Sequence, residues 1–186
     1  MSFPSRESAL SILQEHTQGD SLLKHAYAVE AAMRHYAVRS GADADAWGAV
    51  GLLHDFDYER FPSLDDHPFR GAEILRARGV DEDLIQAILS HADRTGVPRN
   101  TPMRQALFAV DELCGFITAV ALVRPSKSLA DLESSSVKKK LKDRGFARNV
   151  SREDIDSGAE LLGLSLDEHI VNVIASMRTV STELGL

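Results

Sequence analysis

The adjacent pair His54-Asp55, at the end of an apolar helical segment, constrains the fold of this chain most. The stretch from Ala49 to Arg60 reads AVGLLHDFDYER, so an imidazole and a carboxylate directly follow residues that we expect to be buried. Polar groups at the end of a buried segment cost free energy unless a partner binds them, and a divalent metal ion is a common partner. The rest of the chain can therefore be searched for further metal ligands.

The spacing of apolar residues predicts a protein built from α-helices. Ser21 to Arg39 places apolar side chains three and four residues apart, and Gly41 then favours the end of a helix. The same reasoning predicts helices over 43–53, 69–78, 81 to about 91, and 102–123. Capping-box patterns at Ser151 and Ser165 predict two more helices. Because we find no alternation typical of strands and no internal repeat, the predicted fold class is all-α.

Length and composition predict a single domain. At 186 residues and 44% hydrophobic content, the chain can bury one substantial core, so we predict one domain over 1–186. Within it we expect a metal-binding core at about 21–123, a basic segment at 124–148 and C-terminal helices at 151–184. The single cysteine, Cys114, excludes an internal disulfide, and the first residues lack the pattern of a signal peptide. With no unbroken apolar run of membrane-spanning length, we expect a cytoplasmic protein.

Six polar residues lie at unusual positions, either on or beside helices that are otherwise apolar or, for one of them, at the start of a helix. They are His25, His54, Asp55, His67, His91 and Asp111. Four imidazoles and two carboxylates suit manganese, iron, cobalt, nickel or zinc better than calcium. Six side chains exceed what one open catalytic metal ion normally takes from a protein, so we expect one or two divalent ions, with Asp55 as the bridge if there are two. For His16, His35 and His169 the pattern favours ordinary structural roles.

The order His25, His54-Asp55 and Asp111 late in a long helix resembles the HD-domain superfamily of metal-dependent phosphohydrolases. The resemblance covers residues from about 22 to 118, and His67 and His91 are similar to the additional histidines of its two-metal branch. It implies a helical HD-type domain that hydrolyses a phosphate ester or anhydride of a small nucleotide-like metabolite. A divalent ion lowers the pKa of bound water toward neutrality, so a hydroxide is the implied nucleophile and Asp55 a catalytic residue.

Such a reaction also needs cations for the remaining phosphate charge. Arg94, three residues after His91, is the first candidate for both catalysis and substrate binding. Arg60 is a second candidate, because it could replace the lysine that many bacterial members of the superfamily have shortly after the His-Asp pair. Lys24, beside His25, is a weaker one.

The segment 124–148 is strongly basic. It contains eight of the 21 Lys and Arg residues and has a local charge of +5, whereas the whole chain has a charge of −7. Arg124 and Lys127 could reach the substrate, because the helix carrying Asp111 leads into them, or they could belong to a solvated surface. For Lys138 to Lys142 we favour the solvated surface.

Three functions remain open at this stage. The first is the hydrolase, and the second is a non-haem di-iron oxygenase, because the ligand order is also similar to the myo-inositol oxygenase branch of the superfamily. The third is a non-catalytic module that senses a nucleotide. The Gly-Tyr-Pro signature of the branch that cleaves cyclic dinucleotides is missing after His91, so such substrates are disfavoured. We expect a small phosphorylated substrate and, given the acidic net charge, neither duplex nucleic acid nor a membrane as partner; a homodimer is left open.

Overall fold

Ten α-helices and one 3₁₀ turn make up the computed structural model, which describes residues 3–186 and contains no strand within that range. The predicted all-α class is therefore confirmed. The helices are α1 (Arg6–His16), α2 (Asp20–Arg39), α3 (Ala44–Leu53), α4 (Phe69–Ala77), α5 (Glu82–Leu89), α6 (Pro102–Leu122), α7 (Ser134–Leu141), α8 (Arg152–Leu161), α9 (Leu166–Arg178) and α10 (Ser181–Leu184).

The predicted helices all occur, with ends shifted by one or two residues. Helix α5 ends at Leu89, so His91 lies just beyond the helix rather than inside it. Ser165 forms a reciprocal capping box with Glu168, whereas Ser151 accepts a bond from the Asp154 amide only. The sequence pattern missed α1, α7 and α10. Helices α7 and α10 are short and each bury one side chain, Val137 and Leu184, whereas α1 has 11 residues and buries four.

Two close helix contacts hold the centre of the domain together, and each depends on a glycine. Helix α3 lies so near α2 that a Cβ on Gly51 would come within 2.8 Å of the Glu30 Cα atom. Helix α8 approaches α6 in the same way, because a Cβ on Gly158 would lie 2.7 Å from the Ala109 Cα atom. These contacts bring the C-terminal end of α3 beside the middle of α2 and set α8 against the middle of α6.

Helix α6 is long and apolar enough to cross a membrane by length and composition, but it lies inside the domain. In its most apolar 18-residue window, 61% is buried, and it packs against α2, α5, α7, α8 and α9. Its sequence contains no unbroken apolar run of membrane-spanning length, so the sequence pattern did not indicate a membrane span here. Its burial and its neighbours are those of a core helix.

We expect Gly51→Ala to lower the free energy of unfolding by about 1–3 kcal/mol, because the new methyl group meets the backbone of α2, which cannot move aside. Gly48→Ala in the same helix is the matched control, since its Cβ would meet only the flexible side chain of Arg34. Urea denaturation of both variants measures the difference. Equal stability of the two would contradict the close-packing argument.

Candidate metal centre

The first group of converging side chains comes from three helices. His25 lies on α2, His54 and Asp55 follow α3 directly, and Asp111 lies on α6. The His25 Nε2 atom is 3.2 Å from the His54 Nε2 atom and 3.0 Å from the Asp111 Oδ1 atom. The His54 Nε2 atom lies 3.5 Å from the Asp55 Oδ2 atom and 3.5 Å from the Asp111 Oδ1 atom. One ligand atom from each of the four residues therefore lies within 4.8 Å of the others.

A second group shares Asp55 with the first. The Asp55 Oδ1 atom is 3.2 Å from the His67 Nε2 atom and 3.4 Å from the His91 Nε2 atom. The two imidazole Nε2 atoms are 3.2 Å apart. Asp55 thus directs Oδ2 toward the first group and Oδ1 toward the second, the arrangement of a bridging carboxylate. All six residues predicted from the sequence are brought together, and their role as metal ligands stays a prediction.

Three of the four imidazoles are oriented by a hydrogen bond on their other nitrogen. The Nδ1 atom of His54 lies 2.8 Å from the Gly51 carbonyl oxygen, and that of His91 lies 2.6 Å from the Ile88 carbonyl oxygen. The His67 Nδ1 atom lies 2.8 Å from Oδ1 of Asp57. Because carbonyl and carboxylate oxygens only accept, each Nδ1 carries a proton, and in its neutral form each ring presents an Nε2 lone pair to the centre.

This donor set fits a divalent cation. The lone pairs of His67 and His91 face each other at 3.2 Å, and such a contact is favourable only when a cation lies between the rings or when one ring takes an extra proton. Ligand atoms at about 2.0–2.2 Å from one tetrahedral ion are separated by roughly 3.3–3.6 Å, close to the separations found here. Nitrogen and carboxylate donors in this number suit first-row transition metals.

The pKa shifts of His54, His67 and Asp111 favour the charged form of each side chain. Burial opposes ionisation of His67, but its hydrogen bonds to Asp55 and Asp57 outweigh that effect and raise its pKa to about 9. Burial likewise opposes the charged form of His54, yet the charges of Asp55 and Asp111 hold its pKa well above the ordinary value. For Asp111, burial favours the neutral acid, but His54 and His25 lower its pKa far below the usual range.

Asp57 is a functional candidate that the sequence analysis missed. Its side chain is fully buried, and besides holding His67 it accepts a 2.8 Å bond from the Gly71 amide. A Cβ on Gly71 would lie 2.8 Å from the Asp57 Cγ atom, so the glycine makes room for the carboxylate. The available signal was the position of Asp57 two residues after Asp55, which we assigned to the composition of a loop.

Five of the six residues line an open pocket of about 430 Å³, whereas His54 is fully buried. Its floor contains ligand candidates from both groups, and its apolar wall contains Tyr58, Leu64 and Phe108. Four further charged residues line it, namely Asp93, Arg94, Glu112 and Asp154. Burial and the neighbouring charge of Asp111 raise the pKa of Glu112 to about 7.

Of the predicted cations, Arg94 lines this pocket. It lies in the 3₁₀ turn Asp93–Thr95, and its guanidinium donates two bonds to the carbonyl oxygen of His67, the one from Nε at 3.0 Å. The side chain is therefore fixed beside the second group. The exposed Arg94 guanidinium keeps Nη1 free of protein partners among residues 3–186.

The structure places the other predicted cations outside the pocket lining. Arg60 donates to the carbonyl oxygen of Glu15 on α1, which turns it away from the pocket. Arg124 lies roughly three and a half helical turns beyond Asp111 and forms a 2.7 Å ion pair with Asp131. Lys127 is exposed in the turn that follows α6, beyond the end of the helix that was expected to bring it near the centre.

Lys24 and His169 have partners of an ordinary structural kind. Lys24 forms a 2.8 Å ion pair with Asp20 one turn earlier on α2. His169 is fully buried and joins Tyr36 on α2 to the carbonyl oxygen of Ala109 on α6, at 2.6 and 2.8 Å. That bridge holds α6 two residues before Asp111. His16 packs edge-on against Phe56.

Comparison with known proteins identifies one family. A family model described as HD domain matches residues 22–114, which is half of the chain. A tRNA (cytidine(56)-2'-O)-methyltransferase from Thermoplasma volcanium is 27% identical over 88 residues, which make up 47% of this chain and 26% of the methyltransferase. The chain therefore matches only about a quarter of that relative's length. No solved structure matches the chain significantly.

Divalent transition metals should stabilise the protein, because they bind the native centre and not the unfolded chain. At a metal concentration 100 times the dissociation constant, we expect about 2.7 kcal/mol of stabilisation and a rise in Tm of roughly 5–10 °C. Differential scanning fluorimetry of chelator-treated protein with added manganese, iron, cobalt, nickel or zinc measures this shift. Calcium is the control, since nitrogen donors suit it poorly. No shift with any of the five metals would contradict the assignment.

Asp57→Asn should weaken metal binding by roughly 10–100-fold, because His67 and Gly71 donate to different carboxylate oxygens and the amide NH2 that replaces one of them cannot accept. Isothermal titration calorimetry measures the dissociation constant. Asp65→Asn is the matched control, since it changes an exposed acid in the same loop. Unchanged affinity in the Asp57 variant would show that the buried carboxylate does not support the centre.

Proposed function

The chain belongs to the HD domain family, and on that premise we propose that it is a metal-dependent phosphohydrolase acting on a phosphate ester or anhydride of a small nucleotide-like metabolite. The family consists generally of metal-dependent hydrolases. The observation that carries the proposal is the meeting of four imidazole Nε2 atoms and two carboxylates beside an open pocket, which five of the six residues line. The pocket, of about 430 Å³, has the size of a small-molecule site.

The two groups of side chains define which residues would hold metal ions. His25, His54, Asp55 and Asp111 would hold one ion, and Asp55, His67 and His91 would hold a second. Bound there, a divalent ion supplies Lewis acidity toward phosphoryl oxygens and lowers the pKa of water. The proposal leaves open which metal is used and whether one or two ions are needed.

The side chains around the centre would orient the substrate. Asp57 fixes the ring of His67, and Arg94 in turn bonds the main chain of His67, so three residues form one connected unit. The free Nη1 of Arg94 is then available for a phosphoryl oxygen on the pocket side, where a planar guanidinium suits the charge. Arg94 would therefore bind the phosphate, while Asp55 orders both halves of the centre.

A di-iron oxygenase is the second candidate, and the position of Asp55 is the observation that favours it. One carboxylate whose two oxygens face two histidine groups is suited to bridging two iron ions. The two functions differ in their requirement for dioxygen. A hydrolase releases inorganic phosphate under anaerobic conditions with a redox-inert metal, whereas an oxygenase consumes dioxygen and requires iron.

We expect Asp55→Ala to reduce phosphatase activity at least 1,000-fold on a panel of phosphate esters and anhydrides, because the change removes a ligand atom from both groups. Phosphate release is measured anaerobically with metal-replete protein, and metal content is measured in parallel. Asp65→Ala is the control, as an exposed acid away from the pocket. Retained activity in the Asp55 variant would refute the assigned centre, and iron-dependent oxygen uptake without phosphate release would favour the oxygenase.

A further inference from the structure

The pocket beside the metal centre contains more negative charge than the centre itself requires. Apart from the ligand candidates, its charged lining residues are three acids and one cation, Arg94. Asp93 is accounted for, because Arg99 bonds its carboxylate at 2.5 Å. Glu112 and Asp154 contact no Lys, Arg or His within ion-pair distance in the part of the chain that the structure describes. Two acidic side chains without a cationic side-chain partner therefore line the pocket, and burial and Asp111 raise the pKa of one of them, Glu112, to about 7.

These two acidic side chains line the same pocket from two helices that pack against each other, α6 and α8. Glu112 follows Asp111 on α6, and Asp154 lies in the first turn of α8. Ser151 links the Glu112 side chain to the start of α8, because its amide donates to the Glu112 carboxylate at 3.3 Å while its hydroxyl accepts from the main-chain amide of Asp154 at 3.1 Å. The α6–α8 contact at Gly158 keeps the two helices in register. We call Glu112 and Asp154 together the acidic wall.

The acidic wall has opposite consequences for the two ends of a substrate. A second or third phosphate near it would meet like charges, with Arg94 as the one lining cation to offset them. A protonated amine near it would complete two ion pairs in a partly enclosed space, where charges interact more strongly than in bulk water. The neighbouring side chains Tyr58, Leu64 and Phe108 offer apolar surface for the carbon atoms between phosphate and amine.

We propose that this pocket selects phosphomonoesters whose organic part carries a cationic amine, with Glu112 and Asp154 as the residues that determine this specificity. The inference rests on the proposed phosphohydrolase function and narrows its substrate class. The single phosphate lies against the metal centre and Arg94, and the ammonium group lies against the acidic wall. Diphosphates and triphosphates are poor substrates because their additional negative charge lies beside the acidic wall.

The test compares matched pairs of substrates on the metal-replete protein. The probes are ω-aminoalkyl phosphates with two to four carbon atoms, the corresponding alkyl phosphates, and an alkyl diphosphate. We expect kcat/KM for the best aminoalkyl phosphate to exceed that of its alkyl partner at least tenfold, and the diphosphate to be the poorest substrate. Equal kcat/KM within each pair would overturn the inference while leaving the phosphohydrolase proposal standing.

Two isosteric variants assign the selectivity to the acidic wall. Glu112→Gln and Asp154→Asn each keep the size of the side chain, and the glutamine can still accept from Ser151. We expect each to reduce the amine preference about fivefold to tenfold. Glu153→Gln, which removes an exposed charge from the same turn of α8 but outside this pocket, should leave the preference unchanged. A preference that survives both variants would overturn the assignment.

A binding measurement separates failure of this inference from failure of the proposed reaction. If the protein hydrolyses neither these series nor any phosphate ester or anhydride of the wider panel, the phosphohydrolase proposal fails. Isothermal titration calorimetry with 3-aminopropylphosphonate and propylphosphonate then tests the charge argument without turnover. Binding of the amine at least tenfold tighter, reduced by Glu112→Gln, supports the acidic wall, whereas equal binding or no binding of either probe overturns it.

Discussion

The structure depends on one carboxylate that faces two sets of imidazoles. Asp55 directs one oxygen toward His54 and the other toward His67 and His91, so both halves of the centre lie against the same side chain. Since the Nδ1 atoms of those rings are committed to Gly51, Asp57 and Ile88, their Nε2 lone pairs are turned inward. The space between these side chains therefore favours a positive charge. The surrounding fold holds the six side chains close together although their lone pairs and negative charges repel one another.

Helix packing supplies that restraint. The missing side chains of Gly51 and Gly158 let α3 approach α2 and α8 approach α6, at distances that any larger residue would increase. His169 adds a polar bridge between α2 and α6 in the core, two residues before Asp111. Because each candidate ligand lies on or next to a packed helix, helix packing sets the position of the candidate centre.

Much of the fold and the composition of the centre could be predicted from sequence, for different reasons. Helical periodicity and capping residues gave the elements, and the unusual position of His54-Asp55, with the family resemblance, gave the six candidate ligands. Arg124 and Lys127 could not be located, because sequence adjacency to α6 says nothing about which end of a long helix faces the substrate. Asp57 was missed since its partners, His67 and Gly71, come from a turn and a helix whose return toward α3 is a tertiary contact.

The acidic wall combines residues from two separate stretches of the chain, which meet at Ser151. All six donor residues fall within the segment that matches the HD domain, whereas Asp154 belongs to α8, outside that segment. The six candidate ligands and most of the pocket lining thus lie in one stretch of the chain, whereas Asp154 comes from another. A change in α8 could alter the charge at the pocket while leaving the candidate ligands in place.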